Sequence, residues 1–352
     1  QSAFQADRRE YAWRYNLPYY PVHEGGLLLP LHRKSIPPAP DAAPPAFVLY
    51  RTAAVWNNVI ENARVFGPGM VESNNLIFFE GMTYSDHQSM YAQVGAAYPV
   101  LPRAKHIDAE LILLWGQASG FGLQREVPCN WGHFIWTYLL RLAYVEPRLP
   151  LLVHAAVPGR FLDWARRMGF REFVWGADGV TVRRLHVNNV LAHRDANQVV
   201  SVFPAAVHAL RHRLGIKLPG ARRRRLFVSR SASSWRRVVN EHEIEVLLKG
   251  RGFDTIRLEE MSVDEQLDAI GNAQIIVMPI GGGSPVTMFA PVDCKIIELG
   301  FPLIQGPFGS ALWADVLGQP YVRVNGDAGE QIGVLNIDRD YVISPDAIAK
   351  YL

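Results

Sequence analysis

Cysteine is almost absent from this chain of 352 residues. The two that occur, Cys129 and Cys294, stand far apart and in no ligand-like spacing, so neither a disulfide framework nor a zinc site is indicated and a reducing compartment fits. Long apolar runs are absent as well. None approaches the roughly 18–20 residues of a membrane span, and the opening QSAFQADRRE lacks the apolar core of a signal peptide. Neither the GxGxxG fingerprint of dinucleotide-binding folds nor a phosphate loop ending in GK[ST] occurs, which counts against nicotinamide-dependent chemistry.

Apolar residues make up 49% of the chain and charged residues 20%, enough to fill a core in each of two domains. The formal net charge of +3 is mild, and its densest point is Arg222-Arg-Arg-Arg225. Four arginines before an apolar strand read first as a solvated strand entrance. No stacking aromatics accompany them, so nucleic acid is not expected as a partner, while a peripheral contact with anionic lipid remains an alternative use. Residues 30–45 (PLHRKSIPPAPDAAPP) are rich in proline and read as an extended segment.

Apolar runs predict strands at 75–80, 110–115, 149–154, 172–174 and 182–187, with helices over 131–144 and 158–168. After residue 200 the alternation is clearer. Strands are expected at 225–229, 253–258, 274–278, 295–299 and 321–324, and helices at 236–249, 262–272 and 310–317. Ser262-Val-Asp-Glu265 has capping-box spacing. Short apolar strands alternating with helices imply parallel sheets covered on both faces. The expected fold class is therefore α/β, with two Rossmann-like domains facing a cleft. Residues 1–200 would form an acceptor-side domain with an irregular Pro-rich start, and 201–352 a nucleotide-binding domain, hinged near 188–205.

Such sheets bind ligands at the carboxyl ends of their strands. That rule selects Ser229-Arg230, Gly281-Gly282-Gly283-Ser284 and Glu298. Glycines let backbone amides approach an anion, though a plain turn would look the same. Arg230, Arg236 and Arg237 supply guanidinium forks suited to a diphosphate; pairing with Glu241, Glu243 or Glu245 is the competing use. Glu298 could accept from a ribose diol or a base, or serve as a cap or ion-pair partner.

These residues carry a resemblance. The segments LFVSRSASSWRRVVNEHEIEVLLKGRGF and SVDEQLDAIGNAQIIVMPIGGGSPVTMFAPVDCKIIELG resemble the C-terminal half of glycosyltransferase family 61. Arg230, Arg236, Arg237, Asn240, Glu241, Gly281, Gly283, Phe289, Pro291 and Glu298 fall on its motifs. Asn130-Trp131-Gly132-His133 with Arg141-Leu142 resembles its Asn-Tyr-Gly-His helix. The likeness covers roughly 125–300 and the closing VISPDAIAKYL. It implies a GT-B fold of the bacterial capsular-polysaccharide type and inverting sugar transfer from a nucleotide-sugar, a UDP-sugar first, to a glycan or glycoconjugate acceptor. It also implies no metal ligands and no cofactor, and work in the cytoplasm or at the inner face of the membrane. Asn130 and Gly132 join the expected donor-binding set. Three departures stand out: Ile280 where the family has His, Ser284-Pro285-Val286 after the loop, and Thr137 where an acidic residue is common.

An inverting transfer needs a base beside the acceptor hydroxyl. His133 leads, Asp86 with His87 is a second carboxylate–imidazole pair, and Glu126 a third choice. Because of Ile280 and Thr137, a protein that binds nucleotide-sugar without turnover is the alternative function.

Overall fold

The computed structural model describes residues 19–23, 26–28, 50–52, 55–66, 69–74, 76–78, 105–115, 131–177, 179–188, 193–194, 200–202, 204–216, 223–234, 236–303, 309–333 and 337–352. They form an α/β protein whose described residues fall into two compact units, the first ending at Leu214 and the second starting at Gly215.

The first unit is built on an eight-stranded sheet. Its strands are β1 (Tyr19–His23), β2 (Val55–Phe66), β3 (Met70–Ser73), β4 (Leu76–Phe78), β5 (His106–Trp115), β6 (Leu151–His154), β7 (Phe173–Gly176) and β8 (Val180–Asn188). They run in the order β4-β3-β2-β8-β5-β6-β7, and β1 pairs with β2. Strands β8, β5, β6 and β7 are mutually parallel, whereas β1, β3 and β8 are antiparallel to β2. The wholly parallel sheet expected for this half is thus corrected to a mixed one. One cause is plain in the chain: only residues 67–69 join β2 to β3, far too few for the crossover that a parallel pair requires. Strands Gly26–Leu28, Tyr50–Thr52, His193–Arg194 and Val200–Val202 make a separate small sheet. The core packs Ile60, Ala63 and Val65 of β2 against Leu111, Leu113 and Trp115 of β5 and Leu185 and Val187 of β8.

The helix expected over 131–144 is present but not uniform. It starts as α (Trp131–His133), widens to π (Phe134–Tyr138) and tightens to 3-10 (Leu139–Tyr144). Its first turn is set by aromatic packing, with the Trp131 ring against those of Phe161 and Trp164. The stretch 158–168 is a 3-10 turn followed by α1 (Leu162–Arg167). Helix α2 (Pro204–Arg213) ends in an arginine that serves its neighbours. Arg213 donates to the carbonyls of Leu142 (2.7 Å), Val145 and Met168 (3.3 Å) and lies over the Phe170 ring, so it ties the end of the 3-10 segment to the end of α1.

The second unit follows the expected alternation closely. Its strands are β9 (Arg224–Val228), β10 (Asp254–Ile256), β11 (Ala273–Pro279), β12 (Lys295–Gly300) and β13 (Tyr321–Asn325). All neighbours are parallel, in the order β10-β9-β11-β12-β13. Phe227, Val277, Ile297 and Val322 form the core with Ile244 and Leu248 of α3 (Glu241–Lys249) and Ile348 of the last helix. Helix α4 (Val263–Gly271) opens with the foreseen capping box: the Glu265 amide donates to Ser262 Oγ (3.3 Å), and the Ser262 amide to Glu265 Oε2 (2.7 Å). Helix α5 (Ser310–Leu317) precedes β13, and a hairpin of Asp327–Gln331 with Arg339–Val342 precedes α6 (Pro345–Ala349).

One boundary moved. The helix expected from 236 begins only at Glu241, because 237–239 is engaged as extended chain: the Tyr341 amide donates to Arg237 O (3.0 Å) and the Val239 amide to Tyr341 O (2.8 Å). The described members of the arginine run are spent locally. Arg223 pairs with Asp293, Arg224 with Asp254 (3.1 Å), and Arg225 donates to the Arg251 carbonyl (3.3 Å). Among the described residues, no helix is long and apolar enough to cross a membrane.

Candidate active site in the second unit

In the second unit, β10 lies on one side of β9 and β11 on the other, so the chain order reverses between β9 and β11. Parallel sheets of this order take ligands outside the carboxyl ends of the strands at such a reversal. Ser229-Arg230 leaves β9 there, and Ile280-Gly281 leaves β11.

Arg230 joins the two exits. Its Nη1 donates to Ile280 O at 2.6 Å and its Nη2 to Ser233 Oγ at 2.7 Å. Burial, and then the nearby Arg236 charge, bring the guanidinium down to about 10, which leaves it protonated at neutral pH. These two contacts are to neutral oxygens, and the Glu241 and Glu259 carboxylates lie near enough to favour its charged form. Arg236 sits in the left-handed region at φ 56°, uncommon for a side chain of its size. The start of the loop is fixed from behind by the buried Glu241 carboxylate, which accepts from the Ser229 hydroxyl and from the Arg230 amide (3.2 Å).

The glycines have distinct reasons to be there. A Cβ on Gly281 would fall 1.1 Å from Arg230 Nη1, so this residue is bare to admit the guanidinium. A Cβ on Gly283 would meet Leu258 Cδ1 at 3.3 Å, a tight approach but not a prohibitive one. Ser284 then starts a 3-10 turn to Phe289, with its amide on Gly281 O (3.0 Å).

Glu298 is fully buried, and both of its oxygens are occupied from within the unit. Oε1 accepts from Ser284 Oγ (3.2 Å) and the Ser310 amide (2.9 Å). Oε2 accepts from Tyr321 Oη (2.7 Å) and from Arg323 Nε (3.2 Å) and Nη2 (3.0 Å). Burial opposes the Arg323 charge, but Tyr321 and Glu298 outweigh it and hold the guanidinium above its ordinary range. Burial, then the Glu298 charge, pushes the Tyr321 phenol well above its own.

Arg237 pairs with Asp340 through Nε (2.9 Å) and Nη2 (2.6 Å), a partner outside the three glutamates considered from sequence. Asn240 precedes α3 but makes no side-chain cap; it exchanges hydrogen bonds with the Ile343 backbone (2.9 and 3.1 Å). Ile280 is buried in the core, where a histidine would need a partner. In the first unit, His133 is half-buried at the junction of the α and π turns, its ring 5.3 Å from that of Trp136. Gly132 and Thr137 are buried in the same run. Asp86, His87, Glu126 and Asn130 lie outside the described residues.

Sequence reading passed over Ser233, Gly309, Tyr321, Arg323, Asp340 and Tyr341. The signal for one pair was available: Tyr321 and Arg323 are two apart on a strand and so share a face. It also passed over Asp338-Arg339-Asp340, the one Asp-x-Asp triplet in the chain. Asp340 is tied to Arg237 and Asp338 is buried; among the described residues no group of three or more metal-ligating side chains gathers.

An α/β unit with a cationic, glycine-lined exit at its strand-order reversal has the makings of an enzyme that handles an anionic substrate. The chain is a glycosyltransferase: residues 131–297 match the family model described as Glycosyltransferase 61, a span that starts beside His133 and ends one residue before Glu298. No curated protein matches the chain.

Proposed function

We propose that the protein is an inverting, metal-independent transferase that moves a sugar from a nucleotide-sugar to a glycan or glycoconjugate acceptor in surface polysaccharide assembly. The single observation that carries the donor side is the placement of Arg230 against bare Gly281, between the exits of β9 and β11. Arg230 and Arg236 neutralise the diphosphate as the sugar–oxygen bond breaks, and the Gly281–Gly283 backbone lets it approach closely. A UDP-sugar is the first donor to test. In a GT-B arrangement of two Rossmann-like domains, the first unit presents the acceptor and His133 takes the proton of the attacking hydroxyl. Work takes place in the cytoplasm or at the inner face of the membrane.

Thermal denaturation with a panel of nucleoside diphosphates tests this reading. A stabilising shift that disappears in Arg230→Ala is expected, and no shift with any common nucleotide sinks it. The buried Ile280 and Thr137 favour one second reading, nucleotide-sugar binding without turnover. Sugar transfer that is lost in His133→Ala rejects that alternative.

A further inference from the structure

Glu298 lies in the carboxyl half of β12, with five hydrogen bonds converging on a carboxylate that has no exposure. The donors come from three separate elements. Ser284 belongs to the turn after the glycines, Ser310 is the first residue of α5, and Tyr321 with Arg323 lies on β13. The chain of contacts reaches the glycine loop itself, because the Gly281 amide donates to Ser284 Oγ at 3.1 Å. Gly309 keeps the middle of the network open: it stands at φ 70°, and a Cβ there would fall 2.5 Å from Glu298 Oε1 and 3.1 Å from Ser284 Oγ. Arg323 cancels the carboxylate charge, so the network adds rigidity to the loop without adding net charge to the anion site.

From this geometry we infer that Glu298, Tyr321 and Arg323 are positioning residues for the phosphate-binding loop, and that Glu298 itself does not touch the donor. This rests on the donor reading above, which places the diphosphate at Gly281–Gly283. A carboxylate with both oxygens filled by internal donors would have to break a satisfied network to reach a ribose, at the cost of leaving the buried Ser284 and Ser310 donors unpaired. Tyr321 acts at a distance: its hydroxyl fixes Oε2, Arg323 Nε supports that hydroxyl at 3.1 Å, and Oε1 is thereby aimed at Ser284 and Ser310.

Two conservative variants, Tyr321→Phe and Glu298→Gln, test the assignment by calorimetric titration with inorganic pyrophosphate and with uridine diphosphate. Hydrogen exchange of the ligand-free proteins provides the second readout. Both variants are expected to weaken pyrophosphate and uridine diphosphate by the same factor, about threefold to tenfold. Both should also speed exchange at the Gly281 and Ser310 amides. A Glu298→Gln protein that loses uridine diphosphate affinity but keeps that for pyrophosphate overturns the inference, because the carboxylate would then be reading the nucleoside. Unchanged exchange at Gly281 and Ser310 in Tyr321→Phe overturns it too. A wild-type protein that binds neither probe removes the donor reading instead, and the exchange arm alone then decides the positioning role.

Discussion

The Arg230 guanidinium occupies the volume that a β-carbon at position 281 would need, with Nη1 only 1.1 Å from that point. The two residues are therefore one choice made twice: an arginine on the exit of β9 and no side chain on the exit of β11. The clash involves the far end of a flexible side chain, so it can be relieved by swinging the arginine away. Because φ 158° at Gly281 also disfavours any side chain, Gly281→Ala is expected to melt below the wild type and to lose nucleoside diphosphate binding by about tenfold or more, the worth of a charge-assisted hydrogen bond. Titration of the two proteins side by side checks this, and retained affinity in Gly281→Ala would show that the arginine's seat is dispensable.

Removing Arg323 alone should be severe. Arg323→Met leaves a fully buried carboxylate without its counter-charge, at a cost of about 3–5 kcal/mol. Urea unfolding should show a lowered midpoint with an unchanged slope. Glu298→Gln added to Arg323→Met should restore part of the loss, because the second change removes the orphaned charge.

Arg213→Met should destabilise the first unit by about 2–3 kcal/mol, since three carbonyls lose a charged donor together. Methionine keeps much of the apolar contact with Phe170, so the loss reports on hydrogen bonding more than on packing. Urea midpoints for the two proteins provide the comparison.

The Arg237–Asp340 pair gives a pH signature. Burial tends to raise the Asp340 carboxyl, but the Arg237 side-chain and backbone hydrogen bonds prevail and leave it lowered. A depressed folded-state value means the contribution is complete above the ordinary Asp range, near 3.9, and fades as pH falls through the folded value. The stability difference between wild type and Asp340→Asn is expected to shrink across that acid window and to be flat above pH 5. A difference that grows on acidification would contradict the assignment.

Cys294 should behave as an inert apolar residue. Burial pushes its thiol up to about 12, so almost no thiolate exists at working pH. In a Cys129→Ser protein, Ellman's reagent at pH 8 should report no reaction until denaturant is added. Rapid labelling of the native protein would show that the β12 entrance opens.

The second unit was legible in sequence because its strands are short apolar runs, capped and stopped by ordinary signals such as Ser262 with Glu265. The first was less so. Strand β2 contains Asn57, Asn58, Glu61 and Asn62, poor strand formers that tertiary packing overrides through Ile60, Ala63 and Val65. At the site, spacing picked out Arg230, Gly281 and Glu298 and did not separate their tasks. Which glycine must be bare depends on where a guanidinium from fifty residues earlier comes to rest. That Glu298 faces inward depends on donors from α5 and β13, and nothing in KIIEL announces them. The start of α3 was misplaced for the same reason: 237–239 has a strand partner 103 residues away, and local propensity cannot see it.

That long-range pairing has a consequence for how the protein is made. On the ribosome, the segment from Arg237 to Asn240 emerges early and must wait for residues 340–343 before it has Asp340 to hold and the Tyr341 and Ile343 backbones to bond. The five parallel strands can be assembled by then, but the arginine-bearing turn is secured only once residues 340–343 have followed them. Binding competence thus waits for the hairpin, and a nascent chain halted in it before Arg339 would carry all five strands of the sheet with an unfastened mouth.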